Sequence, residues 1–323
     1  MSGKKTNAEL RAHWYELGVR ALQAARPGAP RMYGCPQCLQ GFPPDCFSLE
    51  DVPPKSVGGK PLVLTCTQCN TRSGAKLDIF IAETQRLKDF VAGREVLRVD
   101  LTQYGRRIAA DASLSDARLS LTGVRKASNK ESFDGLFAEL DPAARERSRD
   151  WDFSIKFQIR NSPWKEGVAW LRLAYLYAFA AFGYNFILRP GLHPVREQIK
   201  HPEKRVTPGV VKHVKDPSDH DGISFVHEPV SYRSILVRLG GHFVFLPDFN
   251  HADGFFERME RLPEDNDPVR LAGYQLDLPR SPQFLFDFRP EMMQLTVPGK
   301  TRNKIAAVNR AVGRRGACRE GLS

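Results

Sequence analysis

With 323 residues, 41% of them apolar and 26% charged, the chain has room for one small module and one larger domain, and its twenty Phe and four Trp exclude a disordered chain. The net charge of +11 is uneven, with 13 Lys/Arg against 9 Asp/Glu in residues 1–95 and 7 against 1 in residues 300–323. The most apolar run, VAWLRLAYLYAFAAFGYNFIL (168–188), carries Arg172 and Asn185, so it reads as a buried helix and not as a membrane span.

The first expected element is a helix over 7–25, where Leu10, Trp14, Leu17, Ala21 and Leu22 share a face; ARPGAP then ends it as a linker. No apolar core of a signal peptide precedes it, so a reducing cytoplasm is the expected setting. Residues 33–70 read as a knuckle, a hairpin and a second knuckle, and residues 74–91 as a helix with Leu77, Phe80, Ile81, Leu87 and Val91 at helical intervals. Beyond Gly93, the segments 94–101 and 117–124 read as short strands, 130–151 as helical and 151–159 as an alternating strand. A long helix over 164–188 and a short one over 193–199 follow. Then come a strand-rich stretch over 223–248 that turns at Gly240-Gly241, a last strand or two within 280–299, and the basic tail.

The sharpest chemical signal is a pair of Cys-x-x-Cys motifs, Cys35 and Cys38 in YGCPQC and Cys66 and Cys69 in LTCTQCN. Four thiolates in two turn-like knuckles suit a closed tetrahedral zinc site. A disulfide pair or an iron site is the alternative. Zinc also meets a local need, because a small Pro/Gly-rich segment buries too little apolar area to order itself. Cys46 and Cys318 lie outside both pairs and read as free thiols.

The stretch CPQC…FSLEDVPPKSVGGKPLVLTCTQCNTRSGAKLD resembles the HNH endonuclease family in its four-cysteine form. The likeness rests on the knuckle pair, an acidic residue before the catalytic position, a PP-x-x-x-GG loop, the apolar strand LVLTC and the CN that ends the second knuckle. The elements themselves read as an α+β protein, a small treble-clef zinc finger followed by a larger α+β domain, and the resemblance implies that the finger is a ββα-metal unit. The expected organisation is an N-terminal helix and linker over 1–30, the finger over 31–93, the larger domain over 94–299 and the tail over 300–323. It also implies a catalytic divalent ion, Mg²⁺ or Mn²⁺, held by Glu50 and Asn70 against a scissile phosphate. Hard oxygen ligands suit such an ion, which would neutralise charge building on the phosphate.

One position departs from the family pattern. Where a His should take a proton from the attacking water, this chain has Asp51. An exposed carboxyl titrates about 2.5 units below imidazole and is the poorer base at neutral pH. Asp51 is read as a weak base or a further metal ligand; His13, the nearest imidazole in sequence, is the alternative base. Lys55, Lys60, Arg72 and Lys76 surround the site as candidate phosphate contacts, with ordinary surface charge as the bland reading. Asn70 could instead cap the following helix, and Glu50-Asp51 could be a solvated strand end. The remaining histidines, His193 to His251, show no ligand spacing.

Three functions remain in contention. The first is an HNH-type endonuclease acting on nucleic acid, DNA in the first instance, with the larger domain choosing the target or a protein partner. The second is a zinc-stabilised nucleic-acid-binding protein that does not cut, and the third is a structural zinc module for protein–protein contact.

Overall fold

Thr6 starts the first helix with a capping box: its hydroxyl oxygen accepts the Glu9 N–H at 3.3 Å, and the Glu9 carboxylate accepts the Thr6 N–H at 2.8 Å. The structure, a computed structural model, describes residues 6–103, 105–139, 153–213, 221–249, 254–262 and 271–285. Helix α1 (Asn7–Ala25) follows the expected bounds and buries Trp14, Tyr15, Gly18, Val19 and Ala21. Gly18 is required for close approach, since a Cβ there would lie 2.2 Å from the Tyr33 ring.

Two short strands, β1 (Tyr33–Gly34) and β2 (Gly41–Phe42), pair around the first knuckle. Next comes an antiparallel hairpin of β3 (Phe47–Val52) and β4 (Lys60–Cys66), in register from Phe47↔Cys66 to Glu50↔Val63. Its loop explains the Gly pair: Gly58 sits at φ +84, and a Cβ on Gly59 would fall 1.5 Å from the Pro53 carbonyl oxygen. Helix α2 (Thr67–Ser73) starts at the second knuckle and runs into a π-helical turn, Gly74–Asp78.

Helix α3 (Ile79–Val91) opens a different unit. It buries Ile81 and Phe90, while Leu87 and Val91, expected on its apolar face, are exposed. Strands β5 (Leu97–Gln103), β6 (Arg106–Ser115) and β7 (Arg118–Gly123), helix α4 (Lys130–Glu139) and strand β8 (Phe153–Phe157) complete it. The four strands form an antiparallel sheet of order β7-β6-β5-β8. One face is apolar because the strands alternate, and it gathers Leu97, Val99, Ala110 and Ala112 with Phe90.

Helix α5 (Pro163–Phe182) is apolar all round and buries every residue from Val168 to Phe182, as a helix without a polar face must. Gly183 ends it at φ +64, with α6 (Tyr184–Ile187) and α7 (His193–Lys200) following. Strands β9 (Val211–His213), β10 (Gly222–Glu228), β11 (Ser234–Leu239) and β12 (His242–Leu246), helix α8 (Phe255–Glu260) and strand β13 (Ala272–Asp277) come last. Their antiparallel sheet has the order β13-β10-β11-β12-β9, and α5 packs on β9, β11 and β12 as well as on β3, β4 and the π-helical turn.

The protein is therefore α+β with antiparallel sheets, and the chain divides into two compact units. One is Met1–Asp78 with Pro163–Ser323; the other is Ile79–Ser162. This differs from the expected boundaries at 31–93 and 94–299. The physical reason is α5, whose apolar surface needs covering on all sides and takes the cysteine-bearing hairpin as one cover. The stretch expected to form one larger domain carries a four-stranded and a five-stranded sheet, one in each unit. The last strand among the described residues is Ala272–Asp277, and 280–285 form none; residues 286–299, the tail over 300–323, His220, His251 and Cys318 lie outside the described residues. Among the described residues no helix is long and apolar enough to cross a membrane.

Candidate metal centre and the carboxylate pocket

The first knuckle bends because Leu39 adopts φ +60, letting its N–H reach the Cys35 carbonyl at 2.8 Å while Cys35 N–H reaches the Gln40 carbonyl at 2.9 Å. Cys66 is the last residue of β4, and Cys69 falls in the first turn of α2. Strand pairing and the knuckle bring all four sulfurs together, within 4.8 Å of one another. A tetrahedral ion with sulfurs about 2.3 Å away needs S···S edges of roughly 3.8 Å, and the Cys38–Cys66 pair stands at 3.9 Å. The residues fit a metal such as zinc.

The electrostatics of the cluster agree with that fit. The Cys66 N–H donates to Cys35 Sγ at 3.4 Å and the Arg72 guanidinium to Cys69 Sγ at 3.2 Å. Hydrogen bonds from Cys35 and Cys69 hold the Cys38 thiol well below its ordinary value, and Cys35 does the same for Cys66. Burial pushes Cys35 up, as expected of a sulfur sealed from water with no cation beside it. A dication would replace the shared protons. Among the described residues these four are the only group of three or more Cys, His, Asp or Glu with ligand atoms this close.

The other end of the hairpin is a buried ion-pair network. Arg172, in the middle of α5, is fully enclosed, and its guanidinium donates through Nη2 to Glu50 Oε1 and through Nη1 to Asp78 Oδ1 at 2.7 Å. Glu50 is 2% exposed, and its second oxygen accepts the Thr65 hydroxyl at 2.7 Å. Burial raises the Asp78 carboxyl above the ordinary range; Arg172 pulls it down and Glu50 adds to the rise. Arg172 Nε is buried without a partner.

These contacts engage the residues expected to hold a catalytic ion. Glu50 was expected to face a catalytic ion with Asn70, but both its carboxylate oxygens are taken by protein donors in a closed pocket. Asn70 donates its amide N–H to Ser48 Oγ at 2.8 Å and sits mid-way along α2, where Cys66 occupies the N-cap, so it neither caps the helix nor shares a partner with Glu50. A register shift between Glu50 and Asp51 breaks the strand alternation there. Asp51 is half-buried, and burial first, then the Glu50 charge, raise its carboxyl while Lys55 opposes them. Glu50, Asp51 and Asp78 do not converge into a second metal-ligand group. His13 lies on the exposed face of α1, opposite Trp14 and Tyr15.

Of the four candidate phosphate contacts, Lys55, Lys60 and Lys76 are exposed, while Arg72 is half-buried against Cys69 Sγ. Tyrosine hydroxyls of α5 and α6 bind the backbone around the knuckles. Tyr175 donates to the Pro36 carbonyl at 2.6 Å, Tyr177 to Val52 at 2.8 Å and Tyr184 to Gly34 at 2.5 Å; the Gly34 N–H returns to Tyr184 at 3.0 Å. Sequence reasoning missed Arg172, Asp78 and these tyrosines as partners. One signal was present: a lone Arg in an otherwise apolar helix requires buried carboxylates.

No family model, no curated protein and no solved structure matches this chain.

Proposed function

We propose that the chain is a zinc-stabilised nucleic-acid-binding protein built on an HNH-like treble-clef finger, in which a guanidinium occupies the carboxylate pocket that a catalytic divalent ion would need. The observation that carries this reading is the enclosed Glu50–Arg172–Asp78 network beside a four-sulfur cluster that fits a metal. An ion entering there would have to expel an already compensated cation from a site closed to water, which costs more than it returns. The four sulfurs hold zinc and fix the hairpin against α2. Lys55 and Lys60, at either end of the hairpin loop, and Lys76, on the π-helical turn, supply exposed cations for phosphates, with DNA as the first substrate to test.

A second reading, metal-dependent endonuclease, is favoured by one observation: the raised Asp51 carboxyl is closer to a usable base than an ordinary aspartate. Incubating supercoiled plasmid with the full chain in Mg²⁺ or Mn²⁺ separates the two. The expected outcome is salt-sensitive binding without nicking, and Asp51→His is expected to leave the plasmid intact. Metal-dependent nicking by the native chain that Glu50→Gln abolishes would overturn the binding-only reading. Tight binding that does not change between about 50 and 200 mM salt would remove the phosphate contacts altogether.

A further inference from the structure

The segment that follows α7 is built with unusual care for an exposed loop. Gln198, fully buried, makes four hydrogen bonds into it: its amide nitrogen donates to the carbonyls of His201 at 3.3 Å and Lys204 at 2.7 Å, and its amide oxygen accepts the N–H groups of Val206 at 2.8 Å and Thr207 at 3.1 Å. All the amide's polar capacity is spent on holding residues 201–207 in one path. Trp164 adds a second anchor, donating its indole N–H to the Pro202 carbonyl at 2.8 Å. A loop fixed this way presents side chains without paying much ordering entropy when a ligand arrives.

What it presents is cationic. Lys200, Lys204 and Arg205 are exposed, and the Arg205 guanidinium lies 5.2 Å from the centre of the Trp164 ring, a cation–π contact that restrains the side chain. The two nearby carboxylates turn the other way: Glu197 and Glu203 both face the ring nitrogens of His201, at 3.8 and 3.5 Å. Among the described residues Lys200, Lys204 and Arg205 carry no ion pair. Lys76, on the π-helical turn, is a further exposed cation of the same compact unit.

We propose that the 200–207 loop is a preformed phosphate-binding edge, in which Lys200, Lys204 and Arg205 extend the contacts of Lys76 along the backbone of a bound nucleic-acid strand, with Gln198 and Trp164 as positioning residues. The inference rests on the nucleic-acid-binding reading above and adds a surface to it. Phosphodiesters are the fitting ligand because the cations lie along a rigid edge and not in a closed pocket, which suits a repeating anion better than a small one.

The test is a titration of a fluorescent 20-base-pair duplex with the full chain at several salt concentrations, comparing three proteins. One is native, one carries Lys200→Gln, Lys204→Gln and Arg205→Gln, and one loses the same number of charges elsewhere through Arg118→Gln, Lys126→Gln and Lys130→Gln. The loop variant is expected to bind at least about tenfold more weakly near 0.1 M salt and to lower the slope of log K against log salt by about 2–3, at roughly 0.9 per lost phosphate contact. The control variant is expected to stay within about threefold of native, since a charge outside the contacted edge has no phosphate contact to lose. Trp164→Ala, which removes no charge, is expected to weaken binding several-fold with the salt slope nearly kept.

Each other result has its own meaning. If the native chain binds with a salt-dependent slope but the loop and control variants behave alike, the loop proposal falls and the broader reading stands. If the native chain shows no such binding, both fall. If vesicles of 30% phosphatidylserine capture the chain more tightly than the duplex does, and the loop variant loses that capture, the ligand is a membrane surface and the nucleic-acid assignment is overturned.

Discussion

The two ends of the β3–β4 hairpin obey different rules. At the cysteine end, ligands arrive in pairs with two residues between them, and a short turn suffices to aim both sulfurs of a pair at one point. At the carboxylate end, Glu50 and Asp51 depend on where the strand register shifts and on what packs against the hairpin from far along the chain. Local covalent spacing protects the first site from its surroundings. The second is decided by a residue 122 positions away, Arg172. A motif whose donors are fixed by backbone turns therefore carries further from sequence than one whose donors sit on a strand facing another element.

The contrast is most sharply tested at the sulfurs. Cys66→Ser, or removal of metal by a strong chelator, is expected to abolish the order of residues 33–78, because a structural zinc in finger peptides contributes an apparent ~10–16 kcal/mol to folding. Elemental analysis together with amide exchange reads this out; an ordered variant that keeps one zinc per chain would dismiss the four-sulfur assignment.

At the carboxylate end the expected effect is smaller and has a different signature. Arg172→Met leaves Glu50 and Asp78 buried without their cation and is expected to cost about 3–5 kcal/mol in chemical denaturation. Adding Glu50→Gln should return part of that loss, because a buried amide is far cheaper than an unpaired carboxylate. A single variant within about 1 kcal/mol of native would mean that the pocket is open to water after all. Zinc content should stay at the native value in both proteins, which would separate the two ends experimentally.

The smallest effect concerns the join between knuckle and helix. Tyr184→Phe removes a hydroxyl that both donates to and accepts from Gly34, and a loss of about 1–2 kcal/mol is expected. The aromatic packing of Tyr184 on Phe179, with ring centres 5.2 Å apart, is kept in this variant, so the measurement isolates the hydrogen bonds. No measurable change would say that the tyrosine anchors the knuckle by its ring alone.

Much of this protein could be read from the chain without any coordinates, wherever the cause was local. The helix over 7–25 follows from its apolar spacing and the ARPGAP stop, the hairpin loop from its Pro and Gly residues, and the four-sulfur cluster from two Cys-x-x-Cys turns. The mixed α+β class follows from strands and helices that alternate with clear punctuation. Even the long helix over 164–188 was visible, although it ends earlier, at Phe182, where Gly183 takes a positive φ.

Other features needed the packed molecule. The cysteine-bearing hairpin belongs to the same unit as α5, residues 79–162 form a unit of their own, and the Glu50 carboxylate pairs with Arg172. Those outcomes depend on which apolar surface a helix finds to cover it and which carboxylate lies within reach of a buried guanidinium. Both are questions of distance between residues remote in the chain. Periodicity and spacing describe neighbours along the backbone, whereas the energy of a buried charge is set by neighbours in space.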